Sequence, residues 1–331
     1  MNNEKKTAAS LIYGGRGRES QVSRRGREHI LPLIDKNTYS VTEVFIDGEG
    51  RWLIDGGEVF PFEGGFFSPE RSKKYKVDCA IPLLHGDFGE DGRVQGALDC
   101  AGISYVGCDS VTGAICRDKA LVKMIATHLG IPTLPFILLL RGEGICYAVR
   151  RIEDSFCYPV FVKPTCLGSS VGVSMADSSD TLTDALKATF AITDRVIVEP
   201  YLSVKRELEC GYFSTKSKEI FTNPGEILCD GLYGYDEKYL SHEVGLAIRA
   251  DLSETVRDSV REYSRRLVRA LGVRDLSRID FFLSGDRLYF NEINTMPGFT
   301  DGSLYARMLE AEGISESRLI GLLIDNAVSR A

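Results

Sequence analysis

Strand-like apolar runs alternate with a helical segment through the first third of the chain. In order, these segments are AASLIYGG (8–15), the helical VSRRGREHILPLI (22–34), VTEVFID (41–47), RWLID (51–55) and YKVDCAIPLLHG (75–86). This alternation is typical of an open sheet of parallel strands with helices packed on it. Ligands of such sheets gather beyond the carboxyl ends of the strands, where Gly14-Gly15 and His85-Gly86 lie.

Helical and strand-like patterns both continue through the rest of the chain. They predict helices at 118–130 and 181–192, strands at 157–165 and 195–202, and an amphipathic helix at 254–272 that ends at Gly272. Weak boundaries near 115 and 205 divide the chain into three predicted domains. These are an N-terminal α/β domain (1–115), a small central domain (116–205) and a C-terminal domain (206–331).

The charge balance argues against two classes of partner. Lys plus Arg number 40 and Asp plus Glu number 47 among 331 residues, so the net charge is −7. Nucleic acids and membrane surfaces attract basic proteins, so neither is an expected partner. No segment reaches 18 consecutive apolar residues, and the expected location is the cytoplasm.

The cysteines do not form a metal-binding pattern. There are nine, with no CxxC pair and only four histidines, so a zinc site is not expected. Cys79, Cys100, Cys108, Cys116 and Cys210 lie among apolar neighbours. Most of them are therefore predicted to be buried thiols in a reducing compartment.

A predicted hairpin at 279–294 carries acidic side chains in an apolar run. A three-residue turn at 285–287 would pair Ser284 with Leu288 and place Asp280 opposite Glu292, with Asn294 on the same face. Two facing carboxylates repel each other unless a cation joins them, and two carboxylates with an amide suit Mg²⁺. The alternative is a solvated hairpin face with an incidental acidic pair, salt-bridged to Arg278.

Two further stretches indicate an anion site. The small residues of LGSSVG (167–172) allow backbone N–H groups to approach a phosphate, although the segment is not a Walker A loop. Lys163 ends an apolar strand, where it either extends to the surface or neutralises a phosphate. Lys119 lies in a first helical turn, a position that an anionic ligand would make favourable. With the hairpin, these features predict a nucleoside triphosphate site.

Long motifs make the chain similar to a known family. Lys119, FVKP (161–164), GSSVG (168–172), EPYL (199–202) and Asp280…Glu292-x-Asn294 resemble the ATP-grasp superfamily. HGDFGEDGRVQG (85–96), YDEKYLS (235–241) and NTMPGFT (294–300) narrow the resemblance to D-alanine–D-alanine ligases, over about residues 11–325. The resemblance implies an N-terminal open-sheet domain followed by a two-part ATP-grasp fold with mixed and antiparallel sheets.

The resemblance also implies the reaction and its nucleotide site. Two D-alanines would be joined with ATP through an acyl phosphate, for peptidoglycan precursor synthesis, with two Mg²⁺ ions that Mn²⁺ could replace. The metal ligands would be Asp280, Glu292 and Asn294. The implied ATP-binding residues are Lys119, Lys163, Gly168, Ser170, Glu199, Pro200, Tyr201, Leu202 and Glu207. Because the spacing after EPYL is long, Glu209 is the alternative to Glu207 for the ribose.

The substrate and catalytic residues follow from the same resemblance. Glu19 and His85 would bind the first D-alanine, and Lys238, Ser303 and Leu304 the second. The implied catalytic residues are Glu19, Ser169, Tyr239, Arg278 and the backbone N–H of Gly298. Tyr239 lies in a segment (230–243) suited to a mobile lid. A homodimer is expected by likeness only.

Each of these side chains has a simpler interpretation. Glu19 could be a charge on a first helical turn, His85 an ordinary loop histidine, Tyr239 a rim aromatic and Ser303 a helix N-cap. The chain also departs from the family pattern at Arg16-Gly17-Arg18, Ser20-Gln21 and Thr165-Cys166-Leu167. These departures put the orientation of substrates in question more than the reaction.

Three other functions stay open at this point. A D-alanine–D-serine ligase is the nearest, because a pocket rejects one added hydroxyl only weakly. The others are a non-catalytic nucleotide-binding relative and a dinucleotide-binding oxidoreductase. Retention of Lys163, Arg278, Asp280 and Glu292 argues against the non-catalytic relative, and the missing GxGxxG fingerprint argues against the oxidoreductase.

Overall fold

Three β-sheets follow one another along the chain, each with its own helices. The computed structural model describes residues 6–168, 170–202, 205–228 and 245–330. The predicted fold class is confirmed, because an α/β sheet domain precedes two sheets that are built from antiparallel pairs.

The first sheet has seven strands in the order β6-β5-β4-β3-β2-β1-β7. They are β1 (Thr7–Gly14), β2 (Tyr39–Ile46), β3 (Trp52–Ile54), β4 (Gly57–Pro61), β5 (Gly65–Ser68), β6 (Lys73–Lys76) and β7 (Cys79–Pro82). The predicted parallel pairing holds for β1 with β2 and β7, whereas β2 to β6 pair antiparallel. Ala9, Leu11 and Ile12 are fully buried, as expected for a strand covered on both faces.

Residues 6–128 contain four α-helices, of which the first two pack against this sheet and the last two against the third sheet. They are α1 (Ser20–Ile30), α2 (Arg93–Cys100), α3 (Ser110–Arg117) and α4 (Lys119–His128). At the carboxyl end of β1, Gly14 has φ +97°, and a Cβ there would lie 2.3 Å from the carbonyl oxygen of Ile46. Only glycine therefore allows the chain to turn towards the ligand edge of the sheet.

The second sheet has four antiparallel strands in the order β10-β9-β11-β8. They are β8 (Ile137–Leu140), β9 (Val160–Pro164), β10 (Ser174–Ala176) and β11 (Arg195–Pro200), with helices α5 (Ile145–Glu153) and α6 (Ser179–Ile192). A capping box between Ser178 and Thr181 starts α6. Leu182 and Leu186 of that helix pack against Val160 and Val162, which fixes β9 and therefore the position of Lys163.

The third sheet has the strand order β15-β14-β12-β16-β17, with β13 paired to β12. The strands are β12 (Arg206–Ser214), β13 (Glu219–Phe221), β14 (Gly225–Leu228), β15 (Gly245–Ala247), β16 (Leu276–Ser284) and β17 (Arg287–Asn294). The predicted amphipathic helix is confirmed as α7 (Glu254–Leu271), capped by Ser253 and ended by Gly272 at φ +70°. Two final helices, α8 (Leu304–Ala311) and α9 (Glu316–Val328), contribute to the core that contains Leu11 and Ile81 of the first sheet.

The predicted turn of the β16–β17 hairpin is wrong, although the predicted facing pair is correct. Ser284 pairs with Arg287 rather than Leu288, so the turn has two residues, with Gly285 at φ +57°. A register shift next to Asp280 inserts Asn291 as a β-bulge. The bulge compensates for the shorter turn, so that Asp280 still lies opposite Glu292 and Arg278 opposite Asn294.

Four of the five named cysteines are buried, as the sequence predicts. Cys79, Cys108, Cys116 and Cys210 are in the core, and burial is the main cause that raises the pKa of each thiol. Cys100, at the C-terminal end of α2, is exposed, so the prediction that most of the five are buried is confirmed. Within the described ranges, no helix combines the length and apolar character needed to cross a membrane.

Candidate active site

A cavity lies between the second and third sheets and has two chemically different walls. Its apolar wall is formed by Leu134, Phe161, Leu167, Val173, Pro200, Leu202 and Phe282. Its polar lining consists of Lys119, Lys163, Ser170, Lys205, Glu207, Asn291 and Glu292. A flat apolar ring would fit the first wall while a chain of anionic groups meets the lysines of the second.

Lys119 links the start of α4 to the hairpin. The side chain of Asp118 caps the helix by accepting from the backbone N–H groups of Ala120 and Leu121. The ammonium of Lys119 donates to the carbonyl of Leu167 at 3.0 Å and lies 3.1 Å from Oε2 of Glu292. It therefore holds together one end of the predicted phosphate loop and one predicted metal ligand.

Lys163 points inward, which excludes the alternative that it extends to the surface. Its Nζ donates to Oε2 of Glu199 at 2.5 Å, and the other oxygen of that carboxylate accepts from Nζ of Lys123. Burial alone would raise the pKa of Glu199, but the two lysines outweigh it and lower the pKa to about 2. Lys123 was not among the predicted site residues, although it follows Lys119 by one helical turn and so shares its face.

The acidic face of the hairpin is packed rather than solvated. Arg278 donates to both oxygens of Asp280, from Nε at 2.8 Å and from Nη2 at 2.7 Å, and lies 3.2 Å from Glu209. Burial disfavours the charged guanidinium, but Asp280 and Glu209 outweigh it and raise the pKa of Arg278 well above its ordinary value. The salt bridge to Arg278, which the alternative of a solvated hairpin face included, is therefore present, but it is mostly buried.

The donor set of this hairpin fits a hard divalent cation. Asn294 donates Nδ2 to Oδ2 of Asp280 at 3.0 Å, so the amide and the carboxylate already converge. The described part of the chain contains no group of three or more His, Cys, Asp or Glu side chains placed to hold a metal. A magnesium site here therefore needs the amide oxygen of Asn294 and oxygens of a bound phosphate, which is the ligand set that Mg²⁺ commonly takes.

Glu19 and His85 meet at the carboxyl ends of β1 and β7. Glu19 lies at the N-cap position of α1 and makes no capping bond, and a Cβ on Gly86 would fall 1.6 Å from its Oε2. The carboxylate therefore rests on the loop after His85 rather than on the first helical turn. His85 is only 8% exposed, its Nε2 has no hydrogen-bond partner among the described residues, and burial lowers its pKa.

Arg117 and Glu90 join this region to the phosphate loop, and neither was a predicted site residue. Nη1 of Arg117 lies 3.3 Å from Oε2 of Glu90, and Nη2 lies 3.6 Å from Asp87. A Cβ on Gly168 would fall 2.7 Å from Nη1 of Arg117, so the guanidinium is packed against the loop. Glu90 lies within HGDFGEDG, and the motif itself is the signal that could have found it.

A pH-dependent stability is expected from Glu90. Burial raises its pKa from an ordinary 4.5 to about 7, with Arg117 opposing, so the folded state favours the protonated carboxyl. The contribution of the protonated Glu90 carboxyl to stability is complete below the pKa of this group in the unfolded chain. It is lost as the pH rises through 7, which lowers the free energy of unfolding by at most about 3 kcal/mol. The unfolding free energy of Glu90→Gln minus that of the wild type should therefore be larger at pH 8 than at pH 5. Both values are measured by denaturant titration of the ligand-free protein.

Glu70→Gln is the control for this experiment, because Glu70 is exposed on the same domain. Its difference from the wild type should be the same at both pH values. An equal difference for Glu90→Gln at pH 5 and pH 8 would contradict the assigned burial effect.

The other predicted side chains fall into two groups. Glu207 lines the cavity, whereas Glu209 contacts Arg278, and Tyr201 packs against Phe161 with ring centroids 5.7 Å apart. Ser303 stands at the N-cap of α8 but donates its hydroxyl to the carbonyl of Gly298 at 2.5 Å instead of capping. Leu304 is buried beside Ile227 and Met308. Ser169, Lys238, Tyr239 and the predicted lid (230–243) lie outside the described residues.

The geometry brings most of the predicted residues to one place. Cations and a loop of small residues take an anion, and facing carboxylates beside them take a cation. An arrangement of this kind can hold a metal-bound polyphosphate, and the polar side chains of Glu19 and His85 lie beside it.

Comparison with known proteins agrees with such a site. The family described as D-ala D-ala ligase C-terminus matches residues 125–325, and the D-ala D-ala ligase N-terminus matches residues 61–108. A D-alanine–D-alanine ligase of Caldicellulosiruptor bescii is 35% identical, with 98% of this chain and 96% of the relative covered. The chain therefore belongs to the D-alanine–D-alanine ligase family.

Solved structures give the same relationship. D-alanyl-alanine synthetase A of Vibrio cholerae superposes with a TM-score of 0.89 at 29% identity, covering 98% of this chain and 99% of that one. The VanG D-Ala:D-Ser ligase of Enterococcus faecalis has a TM-score of 0.88 at 28% identity, covering 98% and 100%. A Bacillus anthracis ligase complexed with ATP has a TM-score of 0.77 at 25% identity, covering 98% of both chains.

Proposed function

We propose that this protein joins two D-alanines to D-alanyl-D-alanine, with ATP converted to ADP and phosphate, for peptidoglycan precursor synthesis. The observation that carries the proposal is the cavity with Lys119 and Lys163 facing Glu292, in a chain of this family. Use of ATP is supported by the family and by the similar ligase solved with ATP. ATP as co-substrate is also the ground for proposing a cytoplasmic site of action.

The nucleotide would lie along the cavity with its base on the apolar wall. Phe161, Pro200, Tyr201 and Leu202 would hold the ring, with backbone groups of Glu199 to Leu202 reading its edge. Glu207 rather than Glu209 is proposed for the ribose, because only Glu207 lines the cavity among these two. Lys119, Lys163 and the loop at Gly168 and Ser170 would bind the phosphates.

The metal site is proposed at Asp280, Glu292 and Asn294. Magnesium bound there would neutralise charge on the phosphates and align the γ-phosphoryl group. Two ions are proposed, as the resemblance implies, with Mn²⁺ as a substitute. Because Lys119 already contacts Glu292, its ammonium would move towards the phosphates when the metal and nucleotide bind, whereas Arg278 would keep its bonds to Asp280.

The first D-alanine would be held by Glu19 through its ammonium, beside His85. Its carboxylate oxygen attacks the γ-phosphorus, the bond to ADP breaks, and an acyl phosphate forms. The amine of the second D-alanine then loses a proton and attacks the carbonyl carbon. Arg278 and the N–H of Gly298 would stabilise the developing oxyanion, and phosphate leaves as the amide forms.

The second D-alanine would bind near Ser303 and Leu304, together with Lys238. Ser169 and Tyr239 are proposed to complete the hydrogen-bonded set with Glu19 and close the site. A D-alanine–D-serine ligase is the second candidate function. The similarity to the VanG D-Ala:D-Ser ligase, at the same level as to the Vibrio cholerae enzyme, is the observation that keeps it open.

Three domains and a homodimer are also proposed. The divisions 1–115, 116–205 and 206–331 each contain one of the three sheets. Phe60 of β4, Phe67 of β5 and Phe62 in the turn between these strands are exposed, and the rings of Phe62 and Phe67 lie 6.1 Å apart. Such a patch is typical of an interface, so Phe67→Asp should shift the mass measured by light scattering from dimer to monomer, and an unchanged mass would contradict this interface.

The activity is tested by phosphate release from ATP and Mg²⁺ with D-alanine alone and with D-serine or D-lactate added. The dipeptide product is identified by mass. D-alanyl-D-alanine as the main product supports the first candidate, and a predominant mixed product supports the second.

A further inference from the structure

We propose that Lys123 is a positioning residue for the nucleotide site, acting through Glu199 on Lys163. It supplies the positive charge that Glu199 requires, so that the ammonium of Lys163 remains available to a polyphosphate. The inference rests on the proposed binding of ATP in the cavity and assigns a role to a residue that does not line it.

The three side chains form a continuous ionic chain from the core to the cavity. Lys123 is 1% exposed and Glu199 is not exposed, whereas Lys163 is 14% exposed and lies in the cavity wall. The two oxygens of Glu199 are divided between the lysines, with Lys123 on Oε1 and Lys163 on Oε2. Lys123 comes from α4, so the chain also ties that helix to β9 and β11.

The charge of this chain explains why a second lysine is present. A buried carboxylate must be compensated, and Lys163 alone would do so only by forming a neutral pair. With Lys123 the three groups sum to +1, and the excess charge faces the cavity through Lys163. A polyphosphate can then be bound without leaving Glu199 uncompensated.

A purely structural role for Lys123 has different consequences. A tether between α4 and β11 would affect the stability of the fold and the shape of the whole cavity. Loss of such a tether would weaken the binding of a charged and of an uncharged ligand alike. Removing the charge of Glu199 would not restore that binding.

The experiment is a double-mutant cycle of Lys123→Met and Glu199→Gln, read by calorimetric binding of ADP and of adenosine without metal. Lys123→Met should weaken ADP binding about tenfold, the effect of one partly screened unit charge, and leave adenosine binding unchanged. The double variant restores the +1 charge on Lys163, so it should bind ADP within about threefold of the wild type. Lys187→Met, at an exposed lysine of α6, should bind both ligands as the wild type does.

Three outcomes would overturn the inference. In the first, Lys123→Met loses ADP affinity and adenosine affinity equally. In the second, Lys123→Met folds and loses no ADP affinity. In the third, the double variant binds ADP as weakly as Lys123→Met does. If Lys123→Met does not fold, the double variant decides alone, since it must bind ADP nearly as the wild type does. Failure of the wild type to bind ADP would instead refute the proposed function, so the two failures are distinguishable.

Discussion

Replacement of Arg278 by methionine is expected to lower kcat for D-alanine-dependent phosphate release about a thousandfold, the loss typical of removing an oxyanion-stabilising group. Arg278 is held by two hydrogen bonds to Asp280 and lies 3.2 Å from Glu209, so its guanidinium is fixed before any substrate arrives. A fixed, buried cation stabilises a developing oxyanion without reorganisation. The measurement is the steady-state rate at saturating ATP and D-alanine.

A second variant separates catalysis from folding. Removing Arg278 leaves Asp280 and Glu209 without their cation, which is itself destabilising. Arg278→Lys keeps the charge but loses the paired donors, so it should fold and still lose about a hundredfold in kcat. Arg287→Met, at the exposed first residue of β17 in the same hairpin, should leave kcat unchanged. A folded Arg278→Met protein with wild-type kcat would remove Arg278 from the proposed mechanism.

Glu292→Gln is expected to raise the Mg²⁺ concentration for half-maximal activity and to lower kcat by about a hundredfold or more. The substitution removes one of the two facing carboxylates of the hairpin while keeping its size. It also releases Lys119, which lies 3.1 Å from Glu292. The measurement is phosphate release over a Mg²⁺ titration, repeated with Mn²⁺.

The control for this variant lies at the turn of the hairpin. Asp286→Asn removes a carboxylate from an exposed position and should leave the Mg²⁺ dependence unchanged. The same Mg²⁺ dependence for Glu292→Gln and the wild type would contradict the proposed metal site. A loss of kcat without a shift in Mg²⁺ dependence would also contradict the metal site. It would indicate that Glu292 acts only as the ion-pair partner of Lys119.

The fold was predictable where a local pattern carries the information. Helix α7 has apolar residues at helical spacing, a serine cap and a terminal glycine, and its bounds match the prediction closely. Strands β4 and β5 were not predicted, because glycine and proline interrupt their short apolar runs, and β6 has the polar sequence KKYK, which contains no apolar run. Tertiary pairing completes all three strands. The result is a sheet whose antiparallel extension the sequence pattern did not show.

The hairpin shows how a correct contact can follow from a wrong turn. The prediction used a three-residue turn and no bulge, whereas the structure has a two-residue turn and a bulge at Asn291. Each change shifts the register by one residue, and the two cancel at Asp280. A bulge has no reliable sequence signal, because it depends on how the strand packs on its neighbours.

The buried ion pairs lay beyond sequence reasoning for a different reason. Lys123 and Glu199 are 76 residues apart, and Lys163 and Glu199 are 36 apart. Each looks like an ordinary charged residue until β9 and β11 pair in the second sheet and α4 lies beside them. Motif resemblance named Lys163 and Glu199 but could not show that one carboxylate serves two lysines.

The proposed ligase activity is tested most directly by phosphate release from ATP and Mg²⁺ by the wild-type protein with D-alanine as the only acceptor, with the product identified by mass. We expect D-alanine-dependent phosphate release and D-alanyl-D-alanine in equal amounts. No phosphate release with D-alanine, D-serine or D-lactate, in a protein that still binds ATP, would contradict it.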